Sequence, residues 1–247
     1  MSDRPARTGS VGPTRVLRPL AGPTVTGVQP TPTSPSAGPA PQRRWVPADA
    51  VRVAGVLSVL VALTFDGVAV ALMLLVLGGL VVPRLLRVPG GLDVAYGIGL
   101  LVAAWSGILD VYEAVAWWDL VVHLVVTGLV AAVAYLAVVR LGAALDPRDA
   151  TTRGQRAGVV LLTVGLGLAL GVLWEISEWL GHTYLDESIY VTEADTIGDL
   201  VADALGSVLA GTVLVRRGAA SSTSSTSERP SRSAARSPGT ARSNRNP

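Results

Sequence analysis

Residues 118–139 read WDLVVHLVVTGLVAAVAYLAVV, and this stretch decides the fold. Apart from Asp119, His123 and Thr127 it is apolar throughout. About 20 such residues are what an α-helix needs to cross roughly 30 Å of hydrocarbon. Apolar runs of the same kind lie on both sides, at 51–65, 68–82, 91–112, 158–180 and 197–215. The last three match 118–139 in length. The first two are shorter and read as thin spans or as a re-entrant hairpin bent at Asp66-Gly67, and either option returns the chain to its starting side.

Composition agrees. Half of the residues are hydrophobic and 15% are charged, with a mean hydropathy of +0.49, whereas soluble domains carry about 25% charged residues. A soluble enzyme is excluded. The expected fold class is all-α, a polytopic membrane helix bundle of about six transmembrane helices over 47–217, flanked by disordered tails. The 1–46 segment holds nine prolines between Pro5 and Pro41 and cannot bury enough apolar surface to offset its ordering entropy. The Ser/Thr/Arg-rich 218–247 segment is read the same way. No apolar core of the kind a secretory signal needs occurs in the first 46 residues. With no cysteine in the chain, disulfides, thiolate metal sites and cysteine nucleophiles are excluded.

All 20 basic residues are arginines. In a six-helix topology every one falls on the same side: before or at the start of the first run, at Arg84 and Arg87, from Arg140 to Arg156, and from Arg216 to Arg245. Positive charge stays cytoplasmic, so both termini are expected inside. The bilayer, and anionic lipid headgroups for the Arg-rich tails, are the expected partners; the charge has no need of nucleic acid. Trp117, Trp118, Trp174 and Trp179 are placed as an outer aromatic belt. Gly167 with Gly171, and Ala202 with Gly206 and Ala210, offer small surfaces for close helix contact.

Ionisable residues inside the spans carry the chemistry. Asp119 and His123, Glu175 and Glu178, and Asp199 and Asp203 are three pairs at helical spacing, each on one helix face. A rise of 1.5 Å per residue sets Asp119, Glu178 and Asp199 within about 5 Å of the outer interface, and His123, Glu175 and Asp203 roughly 6–11 Å in. Burying an ionised carboxylate costs several kcal/mol even after relaxation (about 3 at a helix centre on insertion scales). The outer half offers no arginine or lysine to offset it. Either protons neutralise these acids or a bound cation does. A divalent metal ion is the expected cofactor. His123 suits zinc, manganese or iron, and an oxygen-only subset suits magnesium or calcium. The plain alternatives stay open: Asp119, Glu178 and Asp199 can be solvated near helix ends, Asp119 and Asp199 can complement helix N-termini, and His123 can be a hydrogen-bonded structural histidine. Asp110 and Glu113 are optional supporting members. His182 and the acids between Asp186 and Asp195 read as a solvated outer loop that draws in cations.

At these residues the chain resembles the YjdF-type bacterial inner-membrane proteins. They carry an aromatic-Asp-x-x-x-His element, a Glu-x-x-Glu helix end and an Asp-Thr-rich approach to a last helix with further Asp and Gly. The matching residues are Trp118, Asp119 and His123; Glu175 and Glu178; and Asp195, Thr196, Asp199, Asp203 and Gly206. More distantly it is similar to the VanZ-like family, with Asp203 where that pattern has Asn and Leu120 where it has Lys. The resemblance covers about residues 50–216 and implies a bacterial plasma-membrane protein, without implying a reaction.

The expected function is therefore that of a multi-pass inner-membrane protein with an outward-opening cation site. Its candidate ligands are Asp119, His123, Glu175, Glu178, Asp199 and Asp203. A metal-dependent enzyme on an envelope or lipid substrate would use Glu175 as general base. A proton- or cation-coupled transporter and a non-catalytic envelope or assembly factor are the competing classes.

Overall fold

The computed structural model describes residues 46–186, 189 and 191–227; the expectations for the N-terminal tail and for 228–247 lie outside them. Among the described residues the chain forms α1 (Pro47–Ala62), α2 (Gly67–Leu86), α3 (Gly90–Ile108), α4 (Val111–Ala114), α5 (Trp118–Arg140), a 3-10 turn (Pro147–Asp149), α6 (Arg153–Tyr184) and α7 (Glu193–Ser227). The expected all-α bundle is what is found. Five helices, α2, α3, α5, α6 and α7, are long and apolar enough to cross a membrane.

At 16 residues α1 is shorter than these, yet it lies antiparallel along most of α2. Gly55 faces Leu80, and Ala62 shares a buried cluster with Ala69, Met73 and Val76. The bend expected at Asp66-Gly67 is a helix start: the Asp66 carboxylate accepts from the Ala69 amide at 2.7 Å, satisfying one of the free N–H groups of α2. α2 then continues past Val82 through Pro83 and ends at Arg87, in the left-handed region at φ 50°.

Arginines from separate runs meet at one end of the bundle. Arg52 of α1 donates through Nη2 to both carboxylate oxygens of Asp93 on α3, at 2.7 and 2.8 Å, and through Nε to the Leu80 carbonyl at 3.0 Å. Asp49 accepts from Arg52 at 3.2 Å and pairs with Arg84 at 3.4 Å. The Arg140 guanidinium at the end of α5 reaches the Arg87 carbonyl at 3.5 Å. The paired Arg52 and Asp93 side chains are only 18% and 12% exposed, and charge-assisted bonds of this kind are the strong ones. Arg52→Ala is expected to lower stability by about 2 kcal/mol, seen as a lower thermal midpoint in detergent. Arg52→Lys, whose single ammonium cannot reach Asp93, Asp49 and the Leu80 carbonyl together as three guanidinium nitrogens do, recovers only part of the loss. An unchanged midpoint in both variants would show that the network carries no stability.

α5, α6 and α7 form a second packed group through their small residues. Gly206 of α7 lies directly on the Leu124 carbonyl of α5, and a Cβ on Gly128 would come within 2.7 Å of the Gly206 carbonyl oxygen. On the other flank of α7, Ser207 packs on Gly167, Asp203 on Gly171, and Gly211 on the Val160 backbone of α6. The expected contact role of Gly167, Gly171 and Gly206 is what the structure has, and Ala202 is buried beside them. α7 stays helical to Ser227, beyond the Gly218 boundary at which the sequence reading begins a tail.

Candidate metal centre

Three helices bring the six candidate residues to one end of the α5–α6–α7 group, opposite the arginines. α5 starts at Trp118, which puts Asp119 in its first turn and His123 one turn further in. Glu175 and Glu178 lie in the last third of α6, and Asp199 and Asp203 in the first three turns of α7. Burial follows depth except at Asp199, which the sequence reading sets in the outer layer, open to solvation, and which is instead nearly fully buried in the second turn of α7. Asp203 is 0% exposed, Asp199 2%, His123 6% and Glu175 8%, whereas Asp119 and Glu178 are half-buried.

The imidazole of His123 is the hub. Its Nδ1 lies 3.1 Å from Asp203 Oδ1; with Asp203 ionised the carboxylate only accepts, and Nδ1 then carries the proton of that bond. Nε2 faces the other way, 3.7 Å from Asp119 Oδ1. Donor atoms of Asp119, His123 and Asp199 all lie within 4.8 Å of one another, and so do those of His123, Glu175 and Glu178. Two sets of three thus share one ring. Asp203 belongs to neither and takes Nδ1, the nitrogen turned away from Asp119. Among the described residues Asp110, Glu113 and His182 also belong to neither set. The His182 ring instead contacts the Ile189 carbonyl at 2.6 Å. Glu187 lies outside the described residues.

Two oxygens in this cluster, Glu175 Oε1 and Asp203 Oδ2, are buried and have no hydrogen-bond partner among the described residues; Ser207 Oγ, one turn below Asp203, is a third such atom. A buried polar group left unpaired costs about 1–3 kcal/mol, so each calls for an explanation. No arginine pairs with any of these acids among the described residues. The donor set fits a divalent cation: one imidazole nitrogen and several carboxylate oxygens, within a contraction of ligation distance, lacking positive charge of their own.

α4 closes the cluster from the α3 side. Asp110 adopts φ 55° and turns the chain out of α3, so Tyr112 lies in α4 instead of the span the sequence suggests. Its hydroxyl donates to the Ala103 carbonyl at 2.9 Å. Burial, reinforced by the charges of Asp119, Glu178 and Asp199, pushes the Tyr112 phenol well above its usual range. Trp118, expected in an interfacial belt, donates its indole N–H to Ser106 Oγ at 2.8 Å and so ties α5 to α3. Sequence reasoning passed over Ser207 and the Gly171–Asp203 contact. The signal for Ser207 was its place four residues after Asp203 on the same face of α7.

The fold and the cluster together define a class: polytopic helical membrane proteins with a buried carboxylate–histidine centre. A family model described as "Predicted membrane protein (DUF2238)" matches residues 50–220. The chain belongs to that family. The YjdF-type resemblance is consistent with this membership, which does not extend to the VanZ-like likeness. No curated protein and no solved structure matches the chain.

Proposed function

We propose that this protein is a bacterial inner-membrane protein of the YjdF type, with both termini in the cytoplasm, that holds a divalent cation at His123 in the outer leaflet. The carrying observation is the two-sided use of the imidazole. Asp203 engages Nδ1, which leaves Nε2 to ligate, and two sets of acids converge on the same ring where no basic residue balances them. Asp203 then orients the ring, as acids behind metal-bound histidines do. Ligation falls to Nε2 with Asp119 and Asp199 on one side or Glu175 and Glu178 on the other. The nitrogen donor favours zinc, manganese or iron over magnesium or calcium. The arginine asymmetry supports the sidedness, and the Arg-rich tails fit anionic headgroups.

Such an ion, when bound, supplies Lewis-acid polarisation or activation of water. Glu175, whose buried Oε1 has no hydrogen-bond partner among the described residues, would take the proton. An envelope or lipid substrate fits a site in this leaflet. The transporter reading needs a polar route through the other half of the bundle. There the helices touch, with Gly167 on Ser207 and Gly211 on Val160. No observation favours an assembly factor.

Elemental analysis of the purified protein, equilibrated with each metal and washed, tests the proposal. The wild type is expected to retain one ion per chain, and His123→Ala to lose retention. Asp203→Asn is expected to bind 10–100-fold more weakly, the usual cost of losing the group behind a ligating histidine. Equal metal content in the wild type and both variants would remove the assignment.

A further inference from the structure

At the arginine end of the bundle, where α2 turns into α3, lies a cavity of about 440 Å³, within the size range of ligand pockets. Val46, Pro47, Arg84, Arg87, Val88 and Gly90 line it, together with Asp93. The charge around it is one-sided. Asp93 accepts with both carboxylate oxygens from Arg52, and Asp49 pairs with Arg52 and Arg84. Arg87 makes no ion pair among the described residues, and neither does Arg140, whose guanidinium reaches the Arg87 carbonyl. Four guanidinium groups thus meet two carboxylates at this corner, and two positive charges are left over. Arg87 also stands where an arginine is a poor structural choice. It closes α2 at φ 50° and ψ 46°, a left-handed conformation that glycine enters freely and side-chain-bearing residues avoid. Glycine would make the same turn at lower cost. A residue kept in such a conformation points to work for its side chain, and this side chain lines the cavity.

We infer that this cavity binds a diacyl lipid of the adjoining leaflet by its phosphate monoester head, held between Arg84 and Arg87. The charge match selects the head. A phosphate monoester carries about −1.5 to −2 at pH 7, equal and opposite to the two guanidinium charges left over, whereas a phosphodiester carries a single charge and a phosphocholine head no net charge. The planar fork of arginine suits phosphate oxygens. The wall beside the cavity selects a lipid over free phosphate. Leu74, Val81 and Leu85 are 53%, 44% and 75% exposed and share one face of α2 by their helical spacing. From Leu85 to Leu74 is about 16 Å, close to half of a hydrocarbon layer roughly 30 Å thick. A head held at Arg84 and Arg87 therefore has an apolar strip for an acyl chain as long as its own leaflet. Nothing in this inference depends on the cation centre at the other end of the bundle.

Dioctanoyl lipids with phosphate, phosphoglycerol or phosphocholine heads are titrated into the full chain in an uncharged detergent, and bound lipid is counted by native mass spectrometry. Inorganic phosphate serves as the head without its chains. The expected result is saturable binding of the phosphate lipid, about tenfold weaker binding of the phosphoglycerol lipid, none of the phosphocholine lipid and no displacement by equimolar inorganic phosphate. Arg87→Gly is expected to weaken binding of the phosphate lipid by about tenfold or more, as losing a charged hydrogen-bond partner does. Its lipid-free thermal midpoint should hold or rise, because glycine relaxes the left-handed turn. An arginine with a purely structural task would give the reverse, a lower midpoint at unchanged affinity. Arg153→Gln, which removes an exposed charge at the start of α6, should bind as the wild type does. Equal binding of the phosphate and phosphoglycerol lipids overturns the inference, and so does displacement by inorganic phosphate. Wild-type affinity in Arg87→Gly, a loss of binding that comes with a lower midpoint, or an equal loss in Arg153→Gln overturns it as well.

Discussion

Replacing Gly206 with alanine is expected to drive α5 and α7 apart and to cost the protein its stable bundle. The new Cβ would fall on the Leu124 carbonyl oxygen, with the Leu124 Cα also in contact range. A crowded side chain can change rotamer, but a backbone carbonyl inside a helix cannot move without moving the helix. Overpacking that side chains can absorb costs about 1–3 kcal/mol, so a backbone collision belongs at or above the top of that range. The checks are the thermal midpoint by tryptophan fluorescence and the monodispersity of the protein in detergent. Gly165→Ala serves as the opposite control. Nothing lies within 4 Å of its added carbon, and alanine is the better helix former by about 1 kcal/mol. That variant should melt at the wild-type temperature or above it. A Gly206→Ala protein that melts with the wild type would refute the α5–α7 approach described above.

Gly171→Ala should disable the centre without removing any candidate ligand. Its Cβ would land on Asp203 Oδ2, with the Asp203 Cγ at 3.0 Å. Asp203 is fully buried and short, so its carboxylate can clear the intruding methyl only by swinging off the bond to His123 Nδ1. The ring then loses its orienting partner. Metal affinity is expected to fall 10–100-fold while the thermal midpoint of the metal-free protein drops far less than in Gly206→Ala. The measurement is a competitive titration against a chelator of known affinity. An affinity equal to wild type would mean that Asp203 does not position His123.

These two glycines also mark where sequence reasoning stopped. The pairs Asp119 and His123, Glu175 and Glu178, and Asp199 and Asp203 were legible because each is a spacing within one helix, and helical geometry fixes what shares a face. Their convergence was legible from depth counted from the helix ends. Which nitrogen of His123 meets which acid was not, because that depends on the axial offset and rotation between α5 and α7. Gly128 and Gly206 set that offset by backbone contact, which no spacing within one helix reveals. The break at Asp110 was missed for a different reason. Leaving α3 requires a positive φ, and there an aspartate fills the place that a glycine would have advertised. The run that ends at Val82 in the sequence errs in the other direction: α2 continues, with Pro83 accommodated near its last turn.

The brevity of α1 has a consequence for the lipid around it. Sixteen helical residues reach about 24 Å, against the roughly 30 Å of an ordinary hydrocarbon layer. Val53, Val56, Leu57 and Leu60 face outward along α1 and demand acyl chains over only that shorter height. With α1 crossing beside α2, lipids bordering this flank would dip by several ångströms, at fractions of a kcal/mol for each ångström. That deformation would give the molecule an uneven rim and a preference for thin patches.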